Sequence, residues 1–259
     1  MTSDGEAAGR PVGVPVSVLT RNPPPTMSVH SWNREVPIRG PELPDDGDVY
    51  SMNWNRVCAY AAWLTAFFVV VPTILVALAT PDYSHVSQFI SELGAREAPL
   101  ATAMNLLGFL PAGMAAMVFV VAAWKVLPRS TFLVFGLFGV VAYAAGYLVA
   151  VPFPCDPGCR PEEPSVSQIV HNLGGLLGYG LAPITLLLLS RATWTWNGAR
   201  RLSRWALVGS IVSLVGLLTM SPESPWVGVS QRLIEAAMLG WIVLCGATAS
   251  RIRTGPAEP

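Results

Sequence analysis

Charge is what this sequence has least of. Its 259 residues include 16 Lys+Arg and 16 Asp+Glu, 12% in all, for a formal net charge of zero. Soluble domains devote about a quarter of their residues to charge. That scarcity argues against a water-soluble globule, and the balance of signs gives no basis for an attraction to nucleic acid. Histidine, with three residues, and cysteine, with four, are also sparse. No glycine-rich phosphate loop, H-E-x-x-H, G-x-S-x-G or paired Cys-x-x-Cys occurs. The common nucleotide, zinc-protease, serine-hydrolase and redox signatures are therefore missing.

Long apolar runs fill the space left by charge. From Val57 to Ser250 the charged residues retreat to the ends of these runs and to short connections, as they do when lipid is the solvent. Six runs, roughly 57–80, 99–124, 131–153, 166–190, 204–220 and 227–249, meet the requirement of about 20 apolar residues to cross a bilayer. They predict an all-α integral membrane protein with six transmembrane helices over residues 52–253. Residues 1–51 hold eight prolines, seven acids and four arginines without an apolar period, the composition of a disordered tail. Residues 254–259 form a short disordered tail at the other end. Met27 and Met52 are alternative starts to Met1, and the long polar lead is unlike a secretory signal. Thirteen of the sixteen Lys+Arg fall in the tail or at the connections on one side, leaving Arg96, Arg160 and Arg232 on the other. The positive-inside rule then places both termini in the cytoplasm of a cell with the protein in its plasma membrane. Trp194, Trp196 and Trp205 flank the inner boundary, and Trp226 the outer one.

The outward connection 81–99 has an apolar period of its own. Val86, Phe89, Ile90 and Leu93 follow the i, i+3, i+4, i+7 rule, which predicts a short amphipathic helix lying on the membrane surface. Ser84 would cap it and Gly94 end it. His85, Gln88 and Glu92 form a polar stripe on its other face, either solvated or covering a site.

Polar groups inside the spans are costly, so their placement points to function. Asn105 lies six residues past Pro99, His171 six past Ser165, and Arg232 and Glu235 five and eight past Val227. At 1.5 Å per residue these side chains share one layer, roughly 8–12 Å below the outer helix starts. Arg232 and Glu235 at i, i+3 could also simply pair. Cys155 and Cys159 flank Asp156-Pro157-Gly158 on the oxidising side; a disulfide is the favoured state and a metal clip the alternative. Ser165 and Gln168 have capping-box spacing at the start of the fourth span. Gly174, Gly175 and Gly178 share a face with His171, allowing close helix contact or ligand approach. Pro72 and Pro111 are candidate kinks.

Several of these segments resemble a known family. Ser87-Gln88-Phe89-Ile90-Ser91-Glu92-Leu93-Gly94, Asn105 with Gly108, Phe153-Pro154-Cys155-Asp156, His171-Asn172 and Gln231-Arg232 are similar, in order, to the pattern of the bacterial and archaeal membrane proteins grouped as domain-of-unknown-function family 998. The resemblance covers about 55–250. It implies a six-helix membrane protein, carries no established activity, and directs attention to Glu92, Asn105, Asp156, His171 and Arg232. The paired cysteines are a variation on the pattern.

Three functions compete on these residues. A membrane enzyme open to the outer leaflet would use His171, Asp156 and Glu92 as catalytic groups, with a divalent metal as one option for His171 and the carboxylates. Asn105, Arg232 and Glu235 would bind a lipid or lipid-linked substrate, Arg232 holding an anionic head group. A transporter would use His171, Glu235 and Arg232 as a proton or ion relay. A structural or accessory subunit would use the polar layer only to fix helix packing.

Overall fold

The computed structural model describes residues 52–251. The readings of a disordered tail over 1–51 and of a second one over 254–259 lie outside the described residues. Six helices are long and apolar enough to cross a membrane: α1 (Trp54–Leu78), α2 (Ala101–Val126), α3 (Thr131–Ala150), α4 (Val166–Trp194), α5 (Arg200–Thr219) and α6 (Val227–Arg251). The chain is a multi-pass membrane protein. Local chemistry sets the helix starts. Asn53 caps α1 by accepting from the Arg56 amide at 3.2 Å, and Ser130 caps α3 by accepting from the Leu133 amide at 3.2 Å.

Each helix packs on the next in chain order, and α6 closes the ring against α1. Small residues permit this closure. A Cβ on Gly246 of α6 would lie 3.0 Å from the Cys58 carbonyl oxygen of α1, and one on Gly139 of α3 would collide with the Thr185 hydroxyl of α4. Cys58 and Cys245 are fully buried packing residues. Trp194, Trp205 and Trp226 are exposed on the bundle surface, whereas Trp196 is buried in it.

Two prolines interrupt the regular ladder and shape the site. Pro111 has no N–H to offer the Leu107 carbonyl, and the turn before it widens into a π segment, Met104–Phe109, with the Leu110 amide donating to the Asn105 carbonyl. Pro183 sits just after the junction at Leu181 that divides α4 into Val166–Gly180 and Ala182–Trp194. The second half packs along α5, while the first half packs on α3 and scarcely touches α5. Pro72, in contrast, lies inside an uninterrupted α1.

The bundle has two distinct ends. One, here the terminal end, carries both ends of the described chain and the connections 127–130 and 195–199. The other, the site end, carries 79–100, 151–165 and 220–226. At the site end the periodicity of 81–99 is realised only in part. Ser84 caps a single turn, the helix proper is the five-residue 3-10 segment Ile90–Gly94, and Gly94 closes it. Ile90 and Leu93 are buried against the bundle, so the segment folds over the helix ends and does not lie flat beside them. The close packing is visible at Gly228, where a Cβ would come within 2.5 Å of the His85 and Gln88 carbonyl oxygens. The Val229 amide donates to the Val86 carbonyl at 3.2 Å.

Candidate functional site

The polar residues at the site end divide into three groups. The deepest is centred on Glu235, which is 4% exposed on α6. Its carboxylate accepts from the Tyr147 hydroxyl at 2.7 Å and from the hydroxyls of Tyr143 and Tyr179. Tyr143 and Tyr147 stand one turn apart on α3, and Tyr179 ends the first half of α4. Gln231, one turn before Glu235, donates to the Tyr179 oxygen at 3.1 Å and accepts from the Ile90 amide at 2.6 Å. One carboxylate thus ties α3, α4 and α6 together, and Gln231 joins the knot to the 3-10 segment.

The second group surrounds Arg232. Its guanidinium donates to the Gln88 carbonyl at 3.2 Å, the Gly228 carbonyl at 2.9 Å, the Tyr83 hydroxyl at 2.9 Å and His85 Nδ1 at 2.8 Å. Since Arg232 can only donate, His85 Nδ1 is the acceptor and carries no proton. Partial burial and then the Arg232 charge hold the His85 ring below its ordinary pKa. Burial raises the Tyr83 hydroxyl, with Arg232 opposing. Three of the five guanidinium N–H groups therefore pin the 83–88 loop to α6, and a fourth returns to the Gly228 carbonyl of α6 itself. The i, i+3 pairing of Arg232 with Glu235 does not form: each side chain has other partners.

The third group clasps the loops. Cys155 and Cys159 form a disulfide, with Cα atoms 5.0 Å apart. Asp156 accepts from the Ser165 amide at 2.9 Å and the Ser165 hydroxyl at 2.7 Å, and Arg96 lies 3.5 Å from it. The two Ser165 hydrogen bonds lower the Asp156 pKa, burial opposes them and Arg96 adds to them. The capping box is half made: Ser165 accepts from the Gln168 amide at 3.2 Å, but the Gln168 side chain reaches the Asp156 amide at 2.7 Å. Glu92 accepts from the Phe89 amide at 2.9 Å, Gln88 Nε2 at 2.8 Å and Arg160 at 3.3 Å. The His85, Gln88 and Glu92 stripe is thus closed on itself and on Arg232.

A cavity of about 370 Å³ opens in the gap between the first half of α4 and α5, with α3 as its floor. His171, Asn172, Tyr143, Tyr147, Tyr179, Gln231 and Ser91 contribute its polar lining, and Leu176, Leu217 and Met220 part of its apolar wall. His171 Nδ1 lies 3.0 Å from the Phe153 carbonyl. A carbonyl only accepts, so Nδ1 bears the proton and Nε2 is left for other partners. The three glycines separate cleanly in role. Gly174 and Gly178 abut α3, whereas a Cβ on Gly175 would meet nothing within 4 Å and would project into the cavity.

Of the six functional residues read from the sequence, His171 lines this cavity and Glu235 lies behind its tyrosine floor. Asp156, Glu92 and Arg232 do not line it, and their polar atoms are committed to loop contacts. Asn105 holds the Gly94 carbonyl through Nδ2 at 2.9 Å, while its Oδ1 is buried without a partner. Among the described residues no three His, Cys, Asp or Glu side chains gather so as to hold a metal ion, so the donor set fits no divalent-metal site at His171. The tyrosines escaped the reading because a phenol inside an apolar run looks like core. Their i, i+4 spacing on α3 is the available signal.

The model of the family described as Protein of unknown function (DUF998) matches residues 62–248. No curated protein and no solved structure matches the chain. The matched stretch takes in nearly all six helices and every group just described, and the chain belongs to the DUF998 family of membrane proteins.

Proposed function

We propose that this protein binds a lipid or lipid-linked molecule in the cavity between α3, α4 and α5, and that His171 performs acid–base chemistry on it. The observation that carries the reading is the cavity itself. Its volume falls within the range of small-molecule pockets, and one wall is apolar while the other bears hydrogen-bonding groups. An amphiphile entering from the bilayer would place its chain along α5 and its head against Tyr179 and His171. The Phe153 carbonyl fixes the imidazole with Nε2 as base. On the positive-inside count the site end faces outward across the plasma membrane, which puts the cavity in the outer leaflet.

The test is native mass spectrometry of the full chain purified in mild detergent, with Gly175→Leu and His171→Ala beside it. Wild type should retain a bound amphiphile that Gly175→Leu loses. His171→Ala should retain it as well, without the conversion that wild type performs on added membrane lipid. Equal lipid retention by wild type and a folded Gly175→Leu variant would contradict the reading.

A further inference from the structure

From the hydrogen-bond polarity of the cavity floor we infer that its ligand carries an organic ammonium group; this rests on the amphiphile reading above and sharpens it. The argument begins with the hydrogens. Tyr143, Tyr147 and Tyr179 each direct their O–H to Glu235, so the phenol oxygens are left as acceptors; Tyr179 already accepts from Gln231 Nε2 at 3.1 Å, and the Tyr143 and Tyr147 oxygens lie 3.2 Å apart. His171 directs Nδ1–H to the Phe153 carbonyl, leaving a lone pair on Nε2. Acceptors therefore predominate in the polar floor, which suits a group that donates, while Asn172, whose Oδ1 accepts from Gln168 Nε2 at 2.7 Å, adds an amide donor to the lining.

Charge points the same way. Glu235 has no Arg or Lys within ion-pair distance among the described residues, Arg232 acting on it only from beyond that distance, and a carboxylate so buried is costly unless it takes up a proton or a cation offsets its charge. No Arg or Lys lines the cavity. Arg232 is held by the 83–88 loop, and Arg160 by the Ser87 carbonyl at 2.9 Å and by Glu92. A phosphate head would meet acceptors and a negative charge with no cation to receive it. An ammonium would supply the missing charge.

The surrounding rings suit the same ligand. Phe89 and Phe109 join the three tyrosines in the lining. Tyr147 packs on Tyr143 at 5.3 Å and on Phe109 at 5.8 Å between ring centroids. Phe89 already carries the Arg160 guanidinium, 5.3 Å from its centroid, so Phe109 and the three tyrosines are the rings left for a ligand, and rings grouped around a space are the recognition chemistry of methylated or primary ammonium groups. The group could arrive on a lipid head or as a free small cation, and both share this chemistry.

The experiment titrates the full chain in maltoside micelles with dodecyltrimethylammonium, dodecyl phosphate, dodecanol and tetramethylammonium, reading thermal stability. Dodecyltrimethylammonium should stabilise saturably, with a half-saturation concentration about ten-fold below that of dodecyl phosphate or dodecanol. The effect should vanish in Gly175→Leu and in the smaller plug Gly175→Ala weaken, and Glu235→Gln should weaken it about ten-fold. Comparable binding of tetramethylammonium would identify a free cation as the source, and its failure a lipid head group; either supports the ammonium. Glycine-dependent binding of the phosphate or the alcohol as tight as that of the ammonium overturns this inference and leaves the amphiphile reading standing. Absence of glycine-dependent binding by every probe overturns both.

Discussion

The terminal half of the bundle and the site half solve the same problem, polar side chains in apolar surroundings, in different ways. In the terminal half the hydroxyls mostly bond backbone. Thr65 donates to the Ala61 carbonyl at 2.8 Å, Thr193 to the Leu189 carbonyl at 2.8 Å and Thr248 to the Leu244 carbonyl at 2.7 Å. Each is a return to the same helix one turn back, which satisfies the group and asks nothing of its neighbours. In the site half, Glu235 reaches α3 and α4, Gln231 reaches the 3-10 segment, and Arg232 reaches a loop nearly 150 positions away in sequence. The difference teaches where alteration should be felt. Side chains that bond their own helix can be removed singly, whereas those that cross between elements hold a shape.

Breaking the site half at its hub should have the largest effect. Glu235→Ala leaves three phenols without their acceptor and should lower unfolding free energy in detergent by about 3 kcal/mol. Next is Arg232→Ala, which frees the 83–88 loop at a cost of about 2 kcal/mol and should expose that loop to limited proteolysis. Arg232→Lys should restore little, because one ammonium cannot reproduce the fork of donors. Removing the Cys155–Cys159 bridge, which closes a short loop, should cost somewhat less, about 1–2 kcal/mol by chain entropy, and leave the helical content unchanged.

Acid should loosen the same half. The folded-state pKa of Asp156 is lowered, so its contribution is fully present above its unfolded value and is lost as pH falls through the lowered one. Melting temperature should drop across that acidic window, and Asp156→Asn should flatten the drop; parallel curves for the two proteins would refute the role given to Asp156. The smallest effect belongs to the other half: Thr193→Val should change stability by less than about 1 kcal/mol. A loss matching that of Glu235→Ala would erase the contrast between the halves.

Much of the architecture was legible because lipid imposes a simple rule, and the six apolar runs coincide with the six helices to within a few residues at most ends. The α4 end and the α5 start differ most, and equally. Arg200, Arg201 and Arg204 are helical at the latter, long side chains being able to lie along a helix end while keeping their charge in the polar region. The layer containing Asn105, His171, Arg232 and Glu235 was legible by depth, but depth does not give direction. Arg232 and Glu235 lie three residues apart on one helix and still turn to different partners, one to a loop and one to the core. Loop carboxylates such as Asp156 and Glu92 look like catalytic groups in a sequence because most of their partners, the Ser165 amide and hydroxyl, Arg96, the Phe89 amide and Arg160, follow no regular spacing; only Gln88, at i−4 from Glu92, falls on the stripe. Pro111 is among the candidate kinks of the sequence and Pro183 is not, and the cavity beside the Pro183 break depends on how α4 and α5 diverge.

The central claim is that the Glu235–tyrosine knot frames a binding site and is more than a brace between helices. Its most direct test is Glu235→Gln, with melting temperature and dodecyltrimethylammonium affinity measured on the same preparation. The account expects a modest loss of stability together with about a ten-fold loss of affinity. A lowered melting temperature with unchanged affinity would contradict it and make the knot a brace alone.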